Sequence, residues 1–208
     1  MRSVSKMYGD SFFHRRKKLI WRAPILCEII KEIFPGAKSI IDVGCAIGEF
    51  VHQFQKMGIS SEGIEGSESA LKYASPETGI SLWDIRTPLP TSKTCIGKTW
   101  NLCMCLEVAE HIEEEYTNIF IDNLCFLSNT ILISAAPPGQ QGYGHFNCQK
   151  MEYWEIKFGI RDYRRRVEKE KRFKSLLEPY KRKKGLSGYY NNIMIYEHND
   201  IILHKYWG

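Results

Sequence analysis

The 208-residue sequence contains nothing close to the roughly 18 consecutive apolar residues that a membrane-spanning helix requires, so no span is expected. Its opening, MRSVSKMYGDSFFHRRKK, lacks an apolar h-region, and no secretory signal is expected there. Several chemical signatures are missing too. No Cys-x-x-Cys pair occurs, so neither a redox pair nor a cysteine zinc knuckle is encoded. Glu110 and His111 do not form H-E-x-x-H, which excludes a zinc-protease helix. No G-x-S-x-G surrounds a serine, so there is no nucleophile elbow. Neither G-x-x-x-x-G-K-[ST] nor G-x-G-x-x-G is present, so the usual cradles for polyphosphates and dinucleotides are absent. An Asn-Pro-Pro-Tyr motif for base amines is missing as well.

Hydrophobic residues make up 43% and aromatics 12%, the balance of an ordinary globular chain able to bury a core. Cys27, Cys45, Cys95, Cys103, Cys105, Cys125 and Cys148 are odd in number and scattered, which predicts free thiols in a reducing, cytoplasmic setting. The formal charge of +5 is uneven: residues 161–184 hold twelve Lys or Arg against four acids, a local +8 that leaves −3 for the rest. That segment, Arg161 to Lys184, is either a face for an acidic partner or a solvated, charge-rich helix.

Hydrophobic patterning predicts an α/β chain. LIWRAPILCEIIKEIFPG reads as a helix stopped by Pro35-Gly36, and KSIIDVGC as a strand buried on both faces. GEFVHQFQKMG reads as a helix, SSEGIEGS as a strand, SALKYA as a short helix and GISLWDI as a third strand ending at Asp84. After the loop PLPTSKTCIGK come a strand in TWNLCMCLEV, a helix in AEHIEEEYTNIFIDNLCFL and a strand in NTILISAAPPG. QKMEYWEIKFGI and the basic stretch after it are predicted helical; YYNNIMIYEH and IILHKYW close the chain as strands around a turn at Asn199-Asp200. This alternation predicts a Rossmann-like, mostly parallel sheet with helices on both faces and a C-terminal antiparallel strand. One domain is expected: a lead-in and helix over 1–37, a ligand-binding core over 38–150, and a basic helical segment with closing strands over 151–208.

The most informative stretch is IIDVGCAIGEF, in which a buried strand breaks on Gly44 and restarts as a helix after Gly48. Glycine there lets a ligand press against the backbone. The middle glycine of a dinucleotide turn is Ala46, and the position after Gly48 is Glu49, an acid expected to repel a diphosphate. Glu65 ends the second strand, 23 positions after Asp42, where a carboxylate can take both ribose hydroxyls. Asp84 ends the third, within reach of an exocyclic amine. Each acid alone could be a cap or a turn residue. Together they describe a site for an adenosine with a cationic tail in place of phosphate.

IDVGCAIGEF, GIEGS, WDI and WNLCMCLEVAEHI together resemble the class I S-adenosylmethionine-dependent methyltransferases, particularly the type 11 and type 12 groups. The resemblance runs from Ser39 to Gln149, with a lead-in at Tyr8 to Phe13. It implies S-adenosyl-L-methionine as cofactor. It also implies that Asp42 organises the glycine loop and the methionine ammonium, that Gly44 approaches the methionine portion, and that Cys45, Ala46 and Gly48 form the loop wall. Glu65 and Gly66 would hold the ribose, Asp84 and Ile85 the adenine, and Cys105 and Leu106 the methionine side. Three positions depart from the family pattern: Ala46 for glycine, Glu65 where Asp is also common, and Asn101 where an acid is frequent.

Methyl transfer from a sulfonium asks the protein to align an acceptor and, for a hydroxyl, to remove a proton. The loop after the fifth strand, SAAPPGQQGYGHFNCQ, places Tyr143, His145 and Asn147 as acceptor-facing candidates, with His145 either a general base or a brace for the loop. Glu107 and Glu110 read as acids at a helix start, favoured there by the helix dipole. No metal ligand set is expected. The acceptor reads as an O or N atom of a small molecule such as a sugar or phosphorylated metabolite. RNA or DNA held along 161–184 is an alternative, and a non-catalytic scaffold is another. Oligomeric state is not encoded legibly.

Overall fold

The computed structural model describes residues 4–90 and 100–200. Two short helices, α1 (Val4–Met7) and α2 (Asp10–Arg16), and a 3-10 stretch (Lys17–Arg22) lead into α3 (Ala23–Ile33). The chain then alternates through β1 (Ser39–Val43), α4 (Glu49–Lys56), β2 (Ser60–Glu65), α5 (Glu68–Leu71) and β3 (Ile80–Leu82). After the undescribed stretch come β4 (Leu102–Leu106), α6 (Thr117–Leu127), β5 (Thr130–Ser134) and α7 (Met151–Gly159). Then follow β6 (Tyr163–Arg165), α8 (Val167–Leu177), α9 (Ser187–Asn192) and β7 (Ile193–His198).

The seven strands form one sheet in the order β3-β2-β1-β4-β5-β7-β6. β1 to β5 are parallel, and β7 runs antiparallel to both β5 and β6. β4 and β5 are buried throughout, and β1 is buried from Ile40 onward, which explains their unbroken apolar runs. Side chains alternate across the sheet into two cores. Cys103 and Cys105 join Phe120, Leu124 and Trp154 on one face; Leu102 and Met104 join Leu26, Ile30 and Phe173 on the other. Cys27, Cys45, Cys103 and Cys105 are buried free thiols, as expected, and Cys125 and Cys148 are half-buried and free.

The largest departures from the sequence reading fall late in the chain. Residues 161–184 are not one helix: α7 ends at Gly159, Asp162 takes φ 62, and Tyr163–Arg165 pair with β7 before α8 begins. YYNN is the end of helix α9, not strand. The segment after Leu106 is also irregular, with 3-10 turns at Ala109–His111 and Glu114–Tyr116, so Glu107 and Glu110 do not start an α-helix. Asp84 lies two residues beyond the end of β3. Asp200 turns its amide onto Nδ1 of His198, while IILHKYW and Cys95 lie outside the described residues. Among the described residues no helix is long and apolar enough to cross a membrane.

Candidate active site

Strand order reverses between β1 and β4, and in open sheets a ligand crevice lies there, beyond the carboxyl ends. After β1 the backbone turns through Gly44 (φ 74), Ala46 (φ 51) and Gly48 (φ 72). At Gly44 a Cβ would stand 2.3 Å from Cγ2 of Val108, so close approach as well as conformation requires glycine. Ala46 adopts the same left-handed region at a cost of about 1–2 kcal/mol. Glu65 braces it: Oε2 accepts the Ala46 N–H at 2.9 Å and Oε1 the Ser67 N–H at 2.9 Å. Burial still raises the Glu65 carboxyl above its ordinary range, against the pull of those amides.

Asp42 sits beneath this turn, 3% exposed, and its Oδ2 has no hydrogen-bond partner. Burial, then repulsion from Glu49, pushes its pKa up to about 8, while Arg16 and Arg22 pull it down. Glu49 itself is buried between Arg16 Nε at 2.9 Å and Arg22 Nη2 at 2.8 Å. Burial opposes its ionisation, yet the two guanidinium groups hold its carboxyl below the usual value. The expected repulsion of a diphosphate by Glu49 is therefore corrected: two arginines match its charge. The absent middle glycine remains.

A pocket opens above the turn. Of the residues expected to bind, Gly44, Ala46, Glu65, Gly66, Asp84, Ile85 and Leu106 line it. Asp42, buried beneath the turn, does not line it, nor do Cys45, Gly48 and Cys105. Cys45 Sγ points at Gly63, where a Cβ would approach it to 2.5 Å, Gly48 borders a separate cleft beside Thr78, and Cys105 is wholly buried in the core. Asp84 faces the pocket with its carboxylate engaged by Arg86: Oδ2 accepts from Nη2 at 2.8 Å and Oδ1 from Nε at 2.9 Å. Arg86 also reaches Glu113 at 3.0 Å. Desolvation works against the Asp84 charge, but Arg86 holds the carboxyl below its ordinary value.

The loop after β5 differs from expectation at all three candidate positions. Tyr143 is 72% exposed and does not line the pocket. Asn147 is buried, donating to Thr117 Oγ1 at 3.0 Å and accepting from Gln149, so it braces the loop. His145 also stands outside the pocket; Nδ1 meets the Gln140 carbonyl at 3.0 Å and its ring packs edge-on against His111, centroids 5.0 Å apart. His111, set aside in the sequence for lack of an H-E-x-x-H motif, does line the pocket. Burial drives its pKa down to about 4, with the Gly144 carbonyl pulling upward. Glu107 lines the pocket as well, at φ 56, with Oε1 accepting from Ser134 Oγ at 2.8 Å. Glu110 is wholly buried; burial and then Glu107 push its pKa up to about 8.

The N-terminal segment also lines the pocket, through Tyr8, Phe12 and Phe13 of the expected lead-in and through Arg16, which carried no sequence signal. The segment is pinned by Ser67 Oγ, which donates to the Tyr8 carbonyl at 2.7 Å. Trp83, the first residue of the WDI signature, also lines the pocket and adds to its aromatic wall.

Solved structures resemble this one over nearly its whole length. DesVI of Streptomyces venezuelae aligns with TM-score 0.65 at 13% identity, covering 95% of this chain and 99% of that chain. The chain has a Rossmann-like methyltransferase fold. CalS10 of Micromonospora echinaspora, an amino pentose methyltransferase of calicheamicin biosynthesis solved with S-adenosylmethionine, aligns at TM-score 0.62 and 14% identity over 85% of this chain and 90% of its own. The magnesium protoporphyrin IX methyltransferase ChlM of Synechocystis PCC 6803, solved with S-adenosylmethionine, gives 0.57 and 15% over 93% and 87%. No protein-family model matches the sequence, and no curated protein is similar to it in sequence.

Proposed function

We propose that this protein is an S-adenosylmethionine-dependent methyltransferase acting on an oxygen or nitrogen of a small molecule. The observation that carries the reading is the buried, unpartnered Oδ2 of Asp42 beneath a turn whose Gly44 leaves no room for a Cβ. A buried carboxylate with an open acceptor suits a cationic ligand, and the nucleoside with that property carries an ammonium and a sulfonium. Asp42 and Gly44 would hold the methionine portion, Leu106 its far side, Glu65 and Gly66 the ribose, and Asp84 with Ile85 the adenine. Each Glu65 oxygen holds one backbone amide, which leaves lone pairs for ribose hydroxyls. When bound, the cofactor supplies an electrophilic methyl group and a neutral thioether leaving group.

The chain then has to orient an acceptor, exclude water and take up a proton. Phe12, Phe13 and Trp83 supply apolar wall, and Glu107, fixed by Ser134 and Asn192, is the pocket carboxylate suited to meet an acceptor N–H or O–H. Two features support a small acceptor over a polyanion. None of the pocket-lining residues comes from 161–184. Six cations of that segment, Arg161, Arg165, Arg166, Lys169, Arg172 and Lys181, are already paired with acids. Among the neighbours, CalS10 and ChlM are named for an amino pentose and a porphyrin, both small molecules.

Isothermal titration calorimetry with S-adenosylmethionine and S-adenosylhomocysteine tests the reading, with one ligand per chain expected. Glu65→Ala should weaken binding by about 1.5–3 kcal/mol, the loss of charge-assisted hydrogen bonds. No heat with either ligand at millimolar concentration refutes the cofactor.

A further inference from the structure

Among the described residues, Glu110, His111 and His145 form a group of three donor side chains that could hold a metal ion. One ligand atom from each lies within 4.8 Å of one from each of the others. From this cluster we infer a binding site for one divalent transition-metal cation, formed by the Glu110 carboxylate and the two imidazoles at the wall of the pocket.

Three independent features point to a ligand there. Glu110 is 0% exposed, and neither carboxylate oxygen has a well-aligned hydrogen-bond partner, although the amides of Glu110 and Ala136 lie near. An unsatisfied buried carboxylate is costly unless something cationic meets it. The second feature is tautomer control. Nδ1 of His111 meets the Gly144 carbonyl at 2.9 Å, and Nδ1 of His145 meets the Gln140 carbonyl at 3.0 Å. A carbonyl can only accept, so each Nδ1 carries the hydrogen and each neutral ring presents a bare Nε2. Backbone carbonyls orienting metal-binding histidines in this way are a standard outer shell.

The third feature is Gly142. A Cβ there would stand 2.0, 2.3 and 2.4 Å from Nε2, Cε1 and Cδ2 of His145. Such near-equal distances place it over the ring face and not in the ring plane. Glycine therefore lets the loop lie flat on the face of the imidazole, out of the plane in which Nε2 would bind a metal. Ligand atoms around a metal at about 2.0–2.1 Å are closer together than 4.8 Å, so the loop carrying His145 would draw inward on binding. Two nitrogens and one carboxylate suit zinc, cobalt, manganese or iron better than magnesium, which prefers oxygen donors. Because His111 borders the pocket, the remaining coordination positions of the ion would face it.

The test is equilibrium dialysis of the full chain against Zn²⁺, with Co²⁺ absorption spectra reporting the ligand set. One ion per chain is expected, with a Co²⁺ spectrum lacking thiolate charge transfer and no competition from millimolar Mg²⁺. His145→Ala and Glu110→Gln should each weaken Zn²⁺ binding by at least about 100-fold, since even outer-shell losses cost about 10–100-fold. Cys148→Ser, whose sulfur lies 3.6 Å from Nδ1 of His145, should change nothing. Circular dichroism confirms that each variant is folded, and His145→Ala, on a half-buried loop, provides the answer if Glu110→Gln does not fold. No saturable uptake, or uptake that persists when both histidines are replaced, overturns the site. Calorimetry of S-adenosylmethionine in EDTA separates this result from the cofactor reading.

Discussion

Replacing Asp42 with Asn should stabilise the ligand-free protein at alkaline pH while abolishing cofactor binding. In the folded chain the Asp42 carboxyl titrates at about 8, raised by burial and by Glu49, whereas an unfolded Asp titrates near about 3.9. The folded state therefore binds the extra proton between those values. Stability from this group is fully present below the unfolded pKa, declines as pH rises, and levels off above about 8. Between pH 6 and pH 8 the linkage amounts to about 2 kcal/mol lost by the native sequence. Asn cannot ionise, so the stability difference between variant and native protein should widen by that amount over the same window. Glu110, also raised to about 8, adds its own slope to both proteins and cancels in the comparison. Urea denaturation at pH 6, 7 and 8 measures the difference, and calorimetry at each pH reports ligand affinity. A pH-independent difference would mean that burial does not raise the Asp42 carboxyl, and the linkage argument would fail.

Gly44→Ala should cost at least about 1–2 kcal/mol from the left-handed backbone alone, with more from the overlap with Val108. Denaturant titration checks it, and a change under about 0.5 kcal/mol would show that the turn can relax. Neutralising Arg165, Lys169 and Arg172 together should destabilise the fold by about 3 kcal/mol or more, because it strips partners from the buried carboxylates of Glu170 and Glu197. The native protein should show no steep salt dependence of oligonucleotide binding; a linear fall of log affinity with log salt would restore the polyanion reading.

How much of this was legible depended on how local the signal was. β1, β4 and β5 are strands buried on both faces, so each wrote an apolar run that survives without tertiary context. Glu65 and Asp84, expected at strand ends, both line the pocket, although Asp84 lies two residues past β3. β6 could not be read the same way. It is three residues long, is opened by a left-handed Asp162, and is held by Tyr163 Oη donating to the Ser128 carbonyl at 2.8 Å. Arg164 and Arg165 within it, and Arg166 after it, look like the start of the charged helix that follows. A run of like charges carries no record of its partners: the acids that meet those cations, Glu32, Asp122 and Glu197, are spread across α3, α6 and β7.

The same limit explains why His145 was favoured over His111 and Glu107. A glycine- and proline-rich loop at the active edge is where reacting groups often sit, and His145 lies in one. Yet here the loop folds back, and its amides at Phe146 and Asn147 both bond the carbonyl of Glu110, at 2.9 and 3.0 Å. That pairing turns Asn147 inward and lays His145 behind His111. Glu107 reaches the pocket because the chain takes a left-handed residue where a helix would ordinarily have started. Such a conformation is costly for a side chain like Glu and survives only when its surroundings fix it, as Ser134 does at both the Glu107 amide and carboxylate. Strain supported at Glu107, on the wall of the pocket as at Ala46, is what sets this carboxylate apart from a helix cap. It lies in backbone geometry, which the residue types of EVAEHI do not record.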